Sequence, residues 1–144
     1  MQEQSYAKHA MFVPMFHLVL FGIIAASLVG SFVNLWQSLG DHERLYSASL
    51  IAAMSVALLL LFGFTRNFAM GVQDRAIRAE ENLRDFALAG KRLDPRLTIK
   101  QIVGLRFASD AEFVELARKA AEEGLPQDSI KKAVKTWRAD HDRV

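Results

Sequence analysis

The sequence predicts an all-α membrane protein: a transmembrane helical hairpin whose second span extends into the cytoplasm, followed by a small C-terminal helical bundle. Three observations carry that prediction. Residues 10–40 contain no Lys, Arg, Asp or Glu, and neither do the 21 residues from Leu45 to Thr65. The remaining chain from Arg66 to Val144 holds 16 of the 18 basic and 13 of the 16 acidic residues. A charge-free apolar stretch of 18 or more residues matches a hydrocarbon core roughly 30 Å thick at about 1.5 Å rise per residue. The lopsided distribution excludes a soluble globular enzyme. The absence of Cys excludes disulfide frameworks, thiolate zinc sites, thiol nucleophiles and Cys-ligated iron–sulfur clusters.

Residues 1–14 form a short N-terminal segment too small to fold alone. Pro14 suits the first turn of a helix, where its missing N–H would have had no partner. The hairpin occupies residues 15–65, with spans at about 15–36 and 45–65. Lys8 before an apolar run also fits a cleaved signal peptide. That reading fails because the run exceeds the usual core of roughly 7–15 residues, no A-x-A site follows, and a second span comes within ten residues. The connection from Gln37 to Arg44, centred on Gly40 and Asp41, is short enough to make the two helices antiparallel neighbours. Lys8, Arg66, Arg75, Arg78 and Arg84 flank the open end, against Arg44 alone in the connection, so both termini are expected in the cytoplasm of a bacterial inner membrane. Trp36 and Tyr46 are the expected interfacial anchors.

Nothing between Leu45 and Ala89 breaks a helix, so span two is expected to continue through a cytoplasmic extension, residues 66–90, as one helix of about 40 residues. On that extension Phe68, Val72, Ala76, Ala79, Leu83 and Phe86 fall three or four apart, with Asp74–Arg78 and Glu80–Arg84 as i,i+4 pairs on other faces. Gly90 is the expected stop. Residues 91–144 read as a small helical domain behind an Asp94-Pro95 linker. Thr98 caps a helix to Ala108, Ser109 and Glu112 open one from Asp110 to Glu123, and Pro126 starts a last one reaching about Arg138 after Gly124. So few residues are near the lower limit for independent folding, and the bundle is expected to lean on the long helix or on a partner.

No catalytic or phosphate-binding signature is present, and neither span contains a carboxylate, Lys or Arg, so no small-molecule substrate is identified and transport by this chain alone is not expected. His17 reads first as an interfacial imidazole; its alternative is axial ligation of a haem or chlorophyll-type pigment. His9 has the same two readings. Otherwise no cofactor and no metal is expected, and Asp140-His141-Asp142 reads as a solvated tail. Gly22, Ala26 and Gly30 on span one, and Ser49, Ala53 and Ala57 on span two, repeat every fourth residue, a spacing that lets helices approach closely in lipid. They are the expected helix-packing interface, either within the hairpin or against a partner. Lys131, Lys132, Lys135 and Arg138 beside Trp137 are the expected contact with a cytoplasmic partner or anionic lipid. With 16 basic against 13 acidic residues from Arg66 onward, nucleic acid is not an expected partner.

Gln4-Ser5-Tyr6-Ala7 with His9, Pro14 and His17, Val72-Gln73-Asp74-Arg75 with Arg78 and Glu80-Glu81, the central Leu105-Arg106-Phe107-Ala108-Ser109-Asp110-Ala111-Glu112, and Ile130-Lys131-Lys132-Ala133-Val134-Lys135 through Trp137-Arg138 to Asp140 and Val144 span nearly the whole chain. In these the chain resembles a family of uncharacterised bacterial two-span membrane proteins with a C-terminal helical cytoplasmic domain. The resemblance implies a topology and no activity.

The functional expectation is a non-catalytic accessory subunit docked through lipid-embedded and cytoplasmic surfaces to other membrane-protein subunits, by analogy those of a respiratory or photosynthetic energy-transducing assembly. A self-associating membrane scaffold or signalling adaptor using the long helix as a coiled coil is the alternative, and a pigment- or haem-binding protein is the second.

Overall fold

Apolar runs without helix breakers become helices, and here they do so almost without interruption. A computed structural model describes Tyr6 and residues 12–140. Those residues are all-helical: a π-helical turn Met15–Leu20, then α1 (Phe21–Gln37), α2 (His42–Ala89), α3 (Ile99–Leu105), α4 (Asp110–Glu123) and α5 (Gln127–Ala133). Met15–Gln37 and His42–Ala89 are each long and apolar enough to cross a membrane. The chain divides into two compact units, residues 12–68 and residues 69–140 together with Tyr6.

In the first unit Pro14 occupies the N-cap of the π-helical turn. At the other end Ser38 N–H donates to Asn34 O (3.1 Å) and Leu35 O (3.2 Å), ending α1. Asp41 then caps α2, its Oδ1 accepting from the N–H groups of Glu43 (3.1 Å) and Arg44 (3.2 Å). So tight a connection turns the helices antiparallel, and Phe16 stacks on Phe62 at 4.4 Å near the open end. Covered residues form one line on each helix: Ile24, Leu28, Ser31 and Leu35 on α1, continued by Ser38 just past its end, and Ala48, Ala52, Ser55, Leu59 and Phe62 on α2. The serines in that seam bond back to their own helices, Ser31 Oγ to Leu28 O (2.7 Å), Ser38 Oγ to Asn34 O (2.8 Å) and Ser55 Oγ to Ile51 O (2.9 Å), so no hydroxyl is left bare. Most other large apolar side chains of the hairpin face outward, and Trp36 and Tyr46 stand exposed at its turn end.

In the second unit α2 ends at Ala89 because Gly90 adopts a left-handed φ of 69°, its N–H donating to Phe86 O at 3.0 Å. In the linker Arg96 pairs with Asp94 at 2.7 Å and holds that carboxyl down at about 2. Thr98 and Gln101 form a reciprocal cap on α3, and the Gln101 amide also donates to Leu125 O at 2.9 Å, fastening α3 to the end of α4. Glu112 reaches back to the Ser109 N–H (3.4 Å) and hydroxyl (3.2 Å) at the start of α4, and Gly124 closes that helix with φ 62°. Phe107, Phe113, Leu105 and Ile130 are fully enclosed at the centre of the core. Burial of each stabilises the unit by about 1.5–3 kcal/mol.

Two predicted helices stop early. Helix α3 ends at Leu105 rather than Ala108, and α5 at Ala133 rather than near Arg138. The reason is a pairing the local sequence does not announce. Phe107 to Ser109 runs antiparallel to Thr136 to Arg138, with Ser109 N–H donating to Thr136 O (3.1 Å) and Arg138 N–H to Phe107 O (2.8 Å) around an Ala108–Trp137 bridge. The Glu112 carboxylate secures the returning segment by accepting from the N–H groups of Lys135 and Thr136, both at 3.0 Å. Trp137 lies against Phe107, ring centroids 4.8 Å apart.

Helix α3 and α5 pack most closely at Gly104, where an added Cβ would sit 3.1 Å from Gln127 O and 3.3 Å from Ile130 Cγ2. Gly104→Val is expected to lower the stability of the second unit by about 2 kcal/mol through overpacking. Chemical denaturation followed by Trp137 fluorescence in a Trp36→Phe background measures it.

Candidate functional site

A charge on the covered face of a helix is costly unless neutralised there, and beyond Ala69 α2 meets that requirement for Glu81 and Arg84. Its covered stripe is Ile77, Glu81, Arg84 and Asp85, one apolar residue among three ionisable ones. Arg84 is the organiser. Its side chain is only 9% exposed, its Nε donates to Asp110 Oδ1 (2.7 Å), its Nη1 to Glu81 Oε2 (3.0 Å) and its Nη2 to Ala108 O (2.7 Å). The guanidinium also lies 4.3 Å over the Phe113 ring. Only a planar fork of donors reaches three acceptors and an aromatic face at once. The bundle thus leans on the long helix, as its size required, but through this stripe. Arg84 pairs with Glu81 and Asp110, not with the expected Glu80.

Beside Arg84 lies a cleft of about 430 Å³ lined by Gln73, Ala76, Ile77, Glu80, Glu81, Arg106, Arg138, Ala139 and Asp140. Its charges are set against one another: Arg106 meets Asp140 at 3.2 Å and Arg138 approaches Glu81 at 3.9 Å. Burial pushes the Glu81 carboxyl above its ordinary range, and Arg84 and Arg138 only partly offset this. Asp85 is also raised by burial, with Lys91 opposing, and its buried Oδ1 has no hydrogen-bond partner. Glu112 goes the other way: burial raises it, but the N–H groups of Thr136, Lys135 and Ser109 with the Ser109 hydroxyl outweigh that and hold it low. Mutually neutralised groups of this kind clamp two elements together. No nucleophile is set beside a base in the cleft, and no group of three or more His, Asp or Glu side chains gathers to hold a metal ion among the described residues.

The other residues singled out in the sequence are dispersed. His17 is half-buried, its ring stacked on Phe12 at 4.9 Å and edge-on to Phe16 at 5.3 Å. Its Nδ1 lies 3.1 Å from Val13 N and 2.9 Å from Val13 O, so that nitrogen is engaged in either tautomer. Gly22, Ala26 and Gly30 are exposed, and so are Ser49, Ala53 and Ala57. The hairpin closes instead through the neighbouring line containing Ser31, Ala48, Ala52 and Ser55, and the two fourfold-spaced sets do not meet. A shallow apolar groove of about 550 Å³ along α1 is lined by Leu28, Val29, Phe32, Val33, Trp36 and Gln37. The basic residues of the C-terminal end do not share one helix face, because α5 stops short. Lys131 lies 5.8 Å over Phe107 and Lys132 pairs with Asp128 at 3.5 Å and lies 5.3 Å over Tyr6. Lys135 is exposed, Trp137 is half-buried and Arg138 turns to Glu81. His9, His141 and Asp142 lie outside the described residues.

Compared with known families, the chain is matched from residue 1 to residue 144 by the model of a family described as Family of unknown function (DUF6526). The protein belongs to this family. No curated protein and no solved structure matches it. Membership agrees with the resemblance in the sequence and leaves the activity to be argued from the chain itself.

Local sequence does not single out Arg84 as a site residue, because the regular apolar stripe from Phe68 to Phe86 lies on the opposite face of α2. The signal was the i, i+4, i+7, i+8 spacing of Ile77, Glu81, Arg84 and Asp85. Arg84→Ala leaves Glu81 buried without its nearest cation and is expected to cost about 3–5 kcal/mol, read by urea denaturation of the second unit. Asp85→Ala has the opposite sign. The folded protein holds the Asp85 proton more tightly than the unfolded chain, so the cost of ionisation is absent below the ordinary carboxylate range and present above the raised value. The variant should therefore gain about 1 kcal/mol at neutral pH. Denaturation midpoints measured from pH 7 down to pH 4 should show that gain shrinking.

Proposed function

We propose that the protein is a non-catalytic structural subunit of a bacterial inner-membrane complex, anchored by its hairpin and presenting helix α2 and the C-terminal bundle on the cytoplasmic side. One observation carries the reading. Val72, Leu83 and Phe86 on α2 are 69%, 69% and 57% exposed, although they lie outside the charge-free spans and among charged residues. An apolar stripe of that size in water marks a protein-contact surface. Two further observations support it. Little of the apolar surface of the hairpin is covered by the protein itself, which suits contact with lipid and with other spans. The Tyr6 hydroxyl donates to Asp128 at 2.8 Å, an arrangement natural for two termini on one side of a bilayer crossed twice. The charge-neutralised cleft supports a clamp rather than a reaction centre, and the reading calls for no cofactor.

Purification of the tagged full chain in mild detergent, with mass spectrometry of what accompanies it, tests the proposal. Identified subunits of one membrane complex in stoichiometric amounts are expected. Recovery of this chain with nothing but itself overturns the accessory role.

A further inference from the structure

The stripe on α2 has a defined periodicity. Val72, Ala76, Ala79, Leu83 and Phe86 follow one another at intervals of four, three, four and three residues, the alternation of the d and a positions of a heptad. All five are exposed. At about 100° per residue the stripe is centred on the side of α2 opposite Glu81, which the C-terminal bundle covers, so Val72, Ala79, Leu83 and Phe86 stay clear of the bundle, and Ala76, though exposed, borders the cleft beside it.

The flanks identify the occupant. With Ala76 and Leu83 at a positions, Arg75 falls at g and Glu80 at the e position of the following heptad. Between two parallel copies in register, g of one strand faces e of the next heptad in the other, so Arg75 of each copy meets Glu80 of its mate twice over by symmetry. Both residues are exposed, and neither is in an ion pair among the described residues. An antiparallel pairing would not set these two together. Parallel orientation follows from the proposed topology, because α2 of every copy would leave the same membrane in the same direction. A helix lying on an anionic bilayer would instead carry basic residues on both flanks of its apolar stripe. We infer that the face of α2 from Val72 to Phe86 is a parallel two-stranded coiled-coil seam whose occupant is a second copy of this chain, set in register by reciprocal Arg75–Glu80 pairs. The small Ala76 and Ala79 layers let the two backbones approach closely between the larger Val72 and Leu83–Phe86 layers.

This inference rests on the proposed function: the subunit enters its complex as a pair of copies joined at this surface, and the uncovered apolar surface of the hairpin is left for the other subunits. The chain contains no Cys, so single-cysteine variants report contacts without background. The full-length variants Ala79→Cys, Leu83→Cys and Arg78→Cys, the last exposed but off the seam, would be oxidised in native membranes. A disulfide-linked species of twice the chain mass, several-fold stronger at Ala79 and Leu83 than at Arg78, is expected. Arg75→Glu in the Leu83→Cys background should lower the yield on the order of tenfold, since two attractions become two repulsions. Adding Glu80→Arg should restore it, an outcome that a merely misfolded variant would not give. Adducts of another mass at the seam positions overturn the second copy as occupant and leave the structural-subunit reading standing. Equal double-mass yields at all three positions, or no rescue by the charge exchange, overturn the seam in this register. No adduct at any seam position overturns the second copy as occupant, while the structural-subunit reading stands or falls by what accompanies the chain in mild detergent.

Discussion

The second unit depends on the burial of a single guanidinium. Arg84 is nearly sealed from solvent, and its donors reach into three parts of the chain: Glu81 on its own helix, Ala108 at the end of the turn after α3, and Asp110 at the start of α4. A cation in that position stabilises only while every donor has an acceptor. The turn from Leu105 to Ser109 must therefore hold the Ala108 carbonyl in place. It does so by leaving the helix and pairing with the returning segment, and the two early helix ends, the bridge at Trp137 and the Glu112 bonds serve that geometry. The bundle has few fully buried large side chains, and this polar junction joins them to α2.

Local signals were readable wherever a residue acts on its immediate neighbours. The ends of α4 and the stop at Gly90 follow from Ser109 with Glu112, from Gly124 and from Gly90, because capping is decided within about four residues. The unbroken α2 follows from the absence of Pro. What was not readable depends on partners far along the chain. Residues 134–138 have enough helical character to continue α5, and only the edge offered by Phe107 to Ser109 draws them into an extended path. Similarly the stripe Ile77, Glu81, Arg84, Asp85 looks solvated until the acceptors at Ala108 and Asp110 are known.

The hairpin shows the same limit in apolar form. Its two long apolar helices were legible from the charge gap alone, yet the line along which they close was not, because Gly, Ala and Ser are frequent on several faces of both. The line that closes the pair combines Ala48, Ala52 and Ser55 with Ser31 and Ser38, and its serines satisfy their own hydroxyls. Spacing of small residues marks where backbones are able to approach, and the tight Ser38–Asp41 turn selects which of those faces does.

The segment from Val134 to Arg138 carries a weight its place after α5 conceals. Its backbone is stitched to Phe107 and Ser109, and its indole lies against Phe107, one of the two fully buried phenylalanines of the core. Clipping the polypeptide just past Ala133 would be no trimming of a loose tail. It would unroof Phe107, strip Glu112 of two of its donors and let the turn that presents the Ala108 carbonyl relax, so a protease reaching this short stretch would dismantle the junction at Arg84 from the far side.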